Sequence, residues 1–139
     1  MLSMKTSTKH TLDEYFLAFI GHLQELEELV REDEKGLLKQ PSDLVVCFEE
    51  THEAALACMS RYYLAQGRGL FSGSRDLTVE AFHDDLIDDG QGWLDMVISR
   101  IKATDIYPED VQEELRGKIR KKYLKLLQNF ERKMKNLLD

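Results

Sequence analysis

Apolar residues recur every three or four positions along the first quarter of the chain, which is the spacing of one helical face. Thr11 and Glu14 stand at the start of this pattern, three residues apart as in an N-terminal capping box. We therefore predict a first helix that begins at Thr11 and ends before Gly36. Its apolar face comprises Leu12, Phe16, Phe19, Leu23, Leu26 and Val30.

A second helix is predicted from Pro41, a residue that suits helix starts, to about Ala65. One face follows steps of four and three residues: Leu44, Phe48, Thr51, Ala55, Cys58 and Tyr62. The stretch QGRGLFSGSRD, residues 66–76, holds three glycines and two serines, so it is predicted to be a loop. This loop carries Arg68 and Arg75.

The second half of the chain predicts a short helix over about 78–87 and two longer helices. One covers about 89–104, with Asp88 and Gln91 as a capping box, and the other starts at Pro108. The last helix has the longest apolar stripe, formed by Val111, Leu115, Ile119, Tyr123, Leu126, Phe130, Met134 and Leu137. The predicted fold is all-α: an antiparallel up-and-down four-helix bundle with one short additional helix.

The 139 residues are the size of one domain, and 42% are hydrophobic, which is enough for a core. We predict a single helical domain over 1–139, with a flexible N-terminus at about 1–10 and the bundle at about 11–137. No apolar run approaches the ~20 residues of a membrane span, and the N-terminus lacks the apolar core of a signal peptide. Cys47 and Cys58 would lie roughly 16 Å apart along one helix, too far for a disulfide. These features predict a cytoplasmic protein with reduced cysteines and no membrane contact.

The charges are unevenly distributed along the chain. The net charge of −7 argues against nucleic-acid binding by the whole surface, yet residues 116–135 hold nine Lys and Arg and a single acid, Glu131. Two interpretations remain open. This basic segment could lie beside acidic neighbours, or it could form a face for RNA, a nucleotide or an acidic partner.

Arg100 breaks the polarity pattern of the predicted fourth helix. On a wheel of about 100° per residue it falls near 340° from Trp93, inside an arc that also holds Val97 and Met96. The opposite side carries Asp95, Ser99 and Lys102. A guanidinium on the apolar side can extend to the rim, pair with a buried acid, or line a cleft that binds an anion.

Two stretches resemble the nucleotidyltransferase substrate-binding proteins, which are relatives of the HepT and HEPN families. The first is VVCFEETHEAALACMSRYY at 45–63, where a Phe-Glu pair precedes an aromatic-rich stretch. The second and more specific is DDLIDDGQGWLDMVISRIKATDIY at 84–107, which is similar to an acidic turn, a tryptophan helix and an Arg-x4-His-x-Tyr motif. The resemblance covers about residues 12–130.

The resemblance implies a small four-helix bundle that forms a complex with a minimal nucleotidyltransferase. It also implies a homodimer in which the motifs of two chains meet in a cleft, and a heterotetramer is the alternative assembly. In toxin members of toxin–antitoxin pairs, the motif Arg and His cut RNA. In some pairs the nucleotidyltransferase silences the toxin by adding AMP to the motif tyrosine.

Only part of this motif is present here. Arg100 and Tyr107 match its arginine and tyrosine, but Asp105 stands at the histidine position and Ile101 replaces the usual asparagine. The resemblance therefore points to a nucleotide, RNA or partner cleft formed by Arg100, Thr104, Asp105, Tyr107 and Arg75. Tyr107 is the candidate acceptor of AMP.

Asp105 changes the expected chemistry. RNA cleavage by a 2′-hydroxyl needs a proton acceptor and a proton donor, and histidine can be either near neutral pH. An aspartate is ionised at that pH, repels a phosphate, and is expected to pair with Arg100. We therefore expect little or no ribonuclease activity from a degenerate motif.

The remaining candidates are weaker. The four histidines show no metal-ligand spacing, and His52 is interpreted as a surface or boundary residue of the second helix. We predict no metal site and no cofactor. The favoured function is a non-catalytic, nucleotidyltransferase-associated subunit. The alternatives are a HEPN-type ribonuclease toxin, in which Asp105 or His52 replaces the missing histidine, and a purely structural dimeric bundle.

Overall fold

The computed structural model describes residues 2–68, 71–102 and 108–139, with side chains described from residue 10 onward. The described residues form α1 (Leu2–Glu34), α2 (Ser42–Ala65), α3 (Ser74–His83), α4 (Gly90–Ile101), α5 (Glu109–Lys118) and α6 (Leu124–Leu138). A π-helical segment, Ile119–Tyr123, joins α5 to α6 without a break. We call this continuous run, residues 109–138, the final helix.

The contacts between helices give an up-and-down order. Thr51 donates to the carbonyl of His22, whereas Arg61, further along α2, donates to Tyr15, earlier in α1. The final helix meets α1 in the same reversed order, through Arg120–Asp33 and then Gln128–Glu27. It also meets α4 in reversed order, through Tyr123–Ser99 and then Lys133–Asp88. The all-α bundle with an additional short helix, α3, is therefore confirmed.

Aromatic side chains from α1, α4 and the final helix meet at the centre of the bundle. The Phe130 ring packs edge-on against Phe19, with centroids 5.4 Å apart, and against Trp93 at 5.6 Å. All three side chains are almost completely buried. Cys47 and Cys58 are free and buried in the same core, as predicted. No helix in the described part of the chain is both long enough and apolar enough to cross a bilayer.

Two predicted helix starts are wrong. α1 begins at Leu2, so Thr11 lies inside the helix and not at its start. The preceding residues contain neither proline nor glycine, so nothing in them interrupts the helix. The cap of α4 is Asp89, whose carboxylate accepts from the Gly92 amide at 2.9 Å. Asp88 instead bonds to Asn129 and Lys133 of the final helix.

The short helix begins four residues earlier than predicted and replaces the end of the expected loop. Leu86 and Ile87 gave the sequence its apparent helical face, but they are buried in the turn that follows α3. Asp85 in that turn has a φ of 61°, which ends helical geometry. By contrast, α2 begins after Pro41 and ends at Ala65 as predicted.

The final helix begins after Pro108 as predicted, but its buried face departs from the predicted stripe: Leu137 is 50% exposed and Val111 is only partly buried. Leu127 is fully buried, whereas Leu126 is only partly buried. Its buried residues therefore include four with equal spacing: Leu115, Ile119, Tyr123 and Leu127. A four-residue step turns about 40° around an α-helix axis, so three such steps would move the face by about 120°. The wider i→i+5 turn at Ile119–Tyr123 accommodates this rotation.

Candidate functional site

Arg100, in the last turn of α4, reaches across to α2. Its Nη1 lies 2.7 Å from Oε2 of Glu53 and 3.4 Å from Nδ1 of His52. The Arg100 side chain is 26% exposed, and that of Glu53 is 66% exposed. The guanidinium thus sits at the boundary of the core, as in the first option left open by the sequence, and its acidic partner is at the surface rather than buried.

The same guanidinium also lines a cleft, which was the third option. This Arg100 cleft has a volume of about 300 Å³ and lies between α2, the start of α3 and the end of α4. It is lined by Glu49, His52, Glu53, Ser74, Val97, Arg100 and Ile101. A second, more open groove between α1 and α2, of about 440 Å³, shares Glu49, Glu53 and Arg100 with it.

The interpretation of His52 as a surface or boundary residue is wrong, because the side chain is fully buried. Its ring stacks on Phe48, with centroids 5.9 Å apart and planes 9° from parallel, and it also contacts Trp93 at 6.0 Å. The sequence did contain the signal. His52 stands four residues after Phe48 and three before Ala55, so it shares their buried helical face.

The contact with Arg100 determines the tautomer of His52. A guanidinium can only donate hydrogen bonds, so Nδ1 is the accepting nitrogen and the proton of the neutral ring is on Nε2. Burial, and secondarily the positive charge of Arg100, lowers the pKa of His52 to about 3. At neutral pH this imidazole is an uncharged acceptor and not a proton donor to the cleft.

The second ring nitrogen of His52 bears on why a histidine occupies this buried position. Nε2 is buried and has no hydrogen-bond partner among the described residues. A buried unsatisfied donor costs about 1–3 kcal/mol, and such groups are uncommon. An apolar residue would avoid this cost, so the interaction gained by His52 at this position is the one with Arg100.

The start of α3 forms one wall of the Arg100 cleft through Ser74. The N-cap residue, Gly73, has no side chain to accept from the first-turn amides, and helix N-termini favour anions. Arg75, the next residue, is exposed and has no ion pair among the described residues. Ser74, the residue before Arg75, thus lies in the same cleft as Arg100.

Three predicted site residues, Thr104, Asp105 and Tyr107, lie outside the described residues, and so does the expected ion pair between Asp105 and Arg100. The described acidic partner of Arg100 is Glu53. Sequence reasoning did not select Glu53 for this role, although its position next to His52 places it on the edge of the same helical face.

Part of the basic segment of the final helix lies beside acidic neighbours. Four of its cations form ion pairs: Arg116 with Glu109 and Glu113, Lys118 with Asp95, Arg120 with Asp33 and Glu113, and Lys133 with Asp88. Lys121, Lys122, Lys125 and Lys135 are exposed and have no ion pair among the described residues. In the loop before α3, Arg68 pairs with Glu80 and Asp84 of the same chain. No three His, Cys, Asp or Glu side chains of the described ranges converge as a metal site.

The chain is similar to a known protein family. A family model described as nucleotidyltransferase substrate binding protein like matches residues 4–136. The chain belongs to this family. The match confirms the resemblance carried by the two quoted stretches, and it extends to α1 and the final helix, which those stretches do not cover. A search of curated proteins finds no match. In this member of the nucleotidyltransferase substrate-binding family, Arg100 is held by His52 and Glu53 of α2.

Proposed function

We propose that this chain is the substrate-binding-type accessory subunit of a minimal nucleotidyltransferase in the cytoplasm, and that it is not itself a catalyst. Family membership supports the nucleotidyltransferase partner. The observation that carries the proposal is Arg100, a half-buried cation in a cleft whose described acidic partner, Glu53, is mostly exposed. The described part of the site thus offers charge for binding and no proton donor for chemistry.

The ligand of the Arg100 cleft is the phosphate of a nucleotide. A guanidinium binds phosphate through two parallel charge-assisted hydrogen bonds, which are stronger than a neutral pair. Exposed ion pairs contribute only about 0–1 kcal/mol, so an incoming phosphate can displace Glu53. His52 stays behind the guanidinium as a neutral acceptor and keeps it directed into the cleft.

Two further groups complete this site. The N-terminus of α3, whose cap residue has no side chain, favours an anion, and Arg75 adds a second cation at the same end of the helix. By resemblance, Thr104, Asp105 and Tyr107 complete the cleft from the segment that follows α4. Asp105 then limits how much negative charge the cleft can hold.

Isothermal titration of the purified chain with ATP tests the cleft. Arg100→Ala is expected to weaken binding about tenfold or more, because a hydrogen bond to a charged group contributes about 1.5–3 kcal/mol. Arg120→Ala is the matched control. Arg120 is 24% exposed and also bonds a carboxylate at 2.7 Å, but its partner is Asp33 of α1. Equal losses in both variants, or no ATP binding by the wild type, would contradict the assignment of the cleft.

Co-expression tests the partner. A tagged chain should retain a co-expressed minimal nucleotidyltransferase through size-exclusion chromatography, whereas an unrelated nucleotide-binding protein should separate. Failure to associate with any such enzyme encoded nearby would contradict the accessory role, even if the cleft binds ATP. The titration with ATP and the co-expression therefore test the cleft and the partner separately.

The HEPN-type ribonuclease is the alternative, and the state of His52 weighs against it. A buried imidazole with a pKa near 3 stays neutral and cannot supply the missing acid at neutral pH. We expect the purified chain to leave single-stranded RNA intact at pH 7. Cleavage that disappears in Arg100→Ala would establish the ribonuclease instead.

We further propose that two copies meet across α4 and that Tyr107 accepts AMP from the partner enzyme. Ile98 and Ile101 on α4 are 50% and 66% exposed beside Arg100, which supports an apolar contact there. Light scattering should report a dimer that Ile98→Lys disrupts and that Leu37→Lys, at a 65% exposed leucine after α1, does not. Incubation with ATP and the partner should add one AMP to the intact mass, and Tyr107→Phe should prevent it.

A further inference from the structure

The hydroxyl of Tyr123 fastens the last turns of α4 to the final helix. It donates to Oδ2 of Asp95 at 2.5 Å and lies 2.7 Å from Oγ of Ser99. Asp95 and Ser99 stand four residues apart, so they share one face of α4, and Arg100 follows Ser99 directly. Tyr123 and Ser99 are buried, which shields these hydrogen bonds from water.

This contact shows that the side of α4 with Asp95 and Ser99, opposite the apolar arc on the helical wheel, packs against the final helix. Ser99 is 5% exposed and packs against the final helix. Burial disfavours the charge of Asp95, but the Tyr123 hydroxyl and the Lys118 ammonium outweigh it and hold the pKa of this carboxyl below its ordinary value. Tyr123 therefore donates to a stable carboxylate.

A second path joins Tyr123 to Arg100 through stacked rings. The Tyr123 ring stacks on Phe48, with centroids 5.2 Å apart and planes 17° from parallel. Phe48 in turn stacks on His52, whose Nδ1 accepts from Arg100. We call the three stacked rings of Tyr123, Phe48 and His52 the ring column. Tyr123 is thus connected to Arg100 in two ways, through the ring column and through its hydrogen bonds with the end of α4. The π-helical segment ends at Tyr123, and such segments are frequent at functional sites.

We propose that Tyr123 is a positioning residue for Arg100, acting through the hydroxyl contacts with Ser99 and Asp95 and through the ring column that ends at His52. The consequence for nucleotide binding rests on the function proposed above. The positioning itself does not, because the contact between Arg100 and His52 exists without a ligand.

Tyr123→Phe removes the hydroxyl and keeps the ring, and Tyr63→Phe is its matched control. Tyr63 also has a buried ring, and its hydroxyl donates to a carboxylate, Asp84, at 2.8 Å. That carboxylate also pairs with Arg68, and Arg100 is not among its described contacts. Both variants should therefore lower the midpoint of thermal unfolding by similar amounts. A difference between them in the His52 resonance or in ATP binding then reports the positioning of Arg100.

The first readout is the ¹⁵N resonance of the His52 ring nitrogens in the full-length chain. In Tyr123→Phe, the Nδ1 resonance should move toward that of a free imine nitrogen as the bond from Arg100 lengthens, whereas Tyr63→Phe should leave it unchanged. The second is the dissociation constant for ATP, which should rise roughly threefold or more in Tyr123→Phe only, the effect of one weakened hydrogen bond.

Ser99→Ala provides a second test that removes one of the two hydroxyl contacts and leaves the ring column intact. It should shift Nδ1 in the same direction, and the double variant should change less than the sum of the single effects because both act on one contact. An unchanged Nδ1 resonance in both Tyr123→Phe and Ser99→Ala would overturn the proposal. If the wild type binds no ATP, the proposed function fails, and the resonance still decides the positioning.

Discussion

Arg100 on α4 donates from Nη1 to Nδ1 of His52 on α2, 48 residues earlier in the chain, across a distance of 3.4 Å. The contact couples a cation at the mouth of a cleft to a histidine that is fully buried. It also explains why a histidine occupies this position in the core, since the other ring nitrogen, Nε2, has no hydrogen-bond partner among the described residues.

The buried state of His52 predicts a loss of stability in mild acid. Its pKa is about 3 in the folded chain and near 6.5 when unfolded, so the unfolded state alone takes up a proton between these values. The contribution of neutral His52 to the free energy of unfolding is complete above pH 6.5. It falls as the pH decreases, by about 2 kcal/mol between pH 7 and pH 5. Urea unfolding of wild type and of His52→Gln at both pH values should show a smaller loss in the variant, and equal losses would contradict the prediction.

Removing the acidic partner of Arg100 should strengthen anion binding. In Glu53→Gln the guanidinium no longer has to exchange a carboxylate for a phosphate, so affinity for ATP should increase about threefold, the scale of an exposed ion pair. Glu50→Gln is the control, because it removes the same charge from α2 at a residue that lines only the α1–α2 groove. Equal gains in both variants would indicate a general charge effect.

The cap of α4 can be assigned by a pair of neighbouring substitutions. Asp89→Ala removes the carboxylate that accepts from the Gly92 amide and should cost about 1 kcal/mol of unfolding free energy. Asp88→Ala breaks surface contacts with Lys133 and Asn129 and should cost less, within about 0–1 kcal/mol. Chemical denaturation compares the two, and the reverse order would restore Asp88 as the cap.

Two helical glycines should respond to alanine in opposite directions. A Cβ at Gly92 would lie 2.6 Å from Oδ2 of Asp89 and 2.7 Å from Cδ1 of Leu126, so Gly92→Ala should destabilise by about 1–3 kcal/mol. A Cβ at Gly21 of α1 meets nothing within 4 Å, so Gly21→Ala should stabilise by about 0.5–1 kcal/mol. Thermal unfolding gives the sign of the stability change in both variants. An unchanged stability of Gly92→Ala would mean that the Leu126 side chain moves freely.

Much of the bundle was predictable because its helices are long and their apolar spacing is regular. Phe48 and Ala55 placed the buried face of α2 correctly, and Pro41 and Pro108 marked helix starts whose backbone restriction is local. Thr11 misled because a capping box is also local, and a continuous helix can run through it. Leu86 and Ile87 misled because a buried turn and a helical face present similar apolar patterns.

The sequence by itself determined the all-α class, the family through its two quoted stretches, and Arg100 as a cation on an apolar face, because each depends on the order and spacing of nearby residues. The tertiary structure decided which groups meet. It brought His52 and Glu53 to Arg100, put Ser99 and Asp95 against Tyr123, and chose Asp89 over Asp88 as a cap. These choices depend on the rotation and register of helices packed against one another, and small shifts such as the π-helical turn at Ile119–Tyr123 change which side chains face each other.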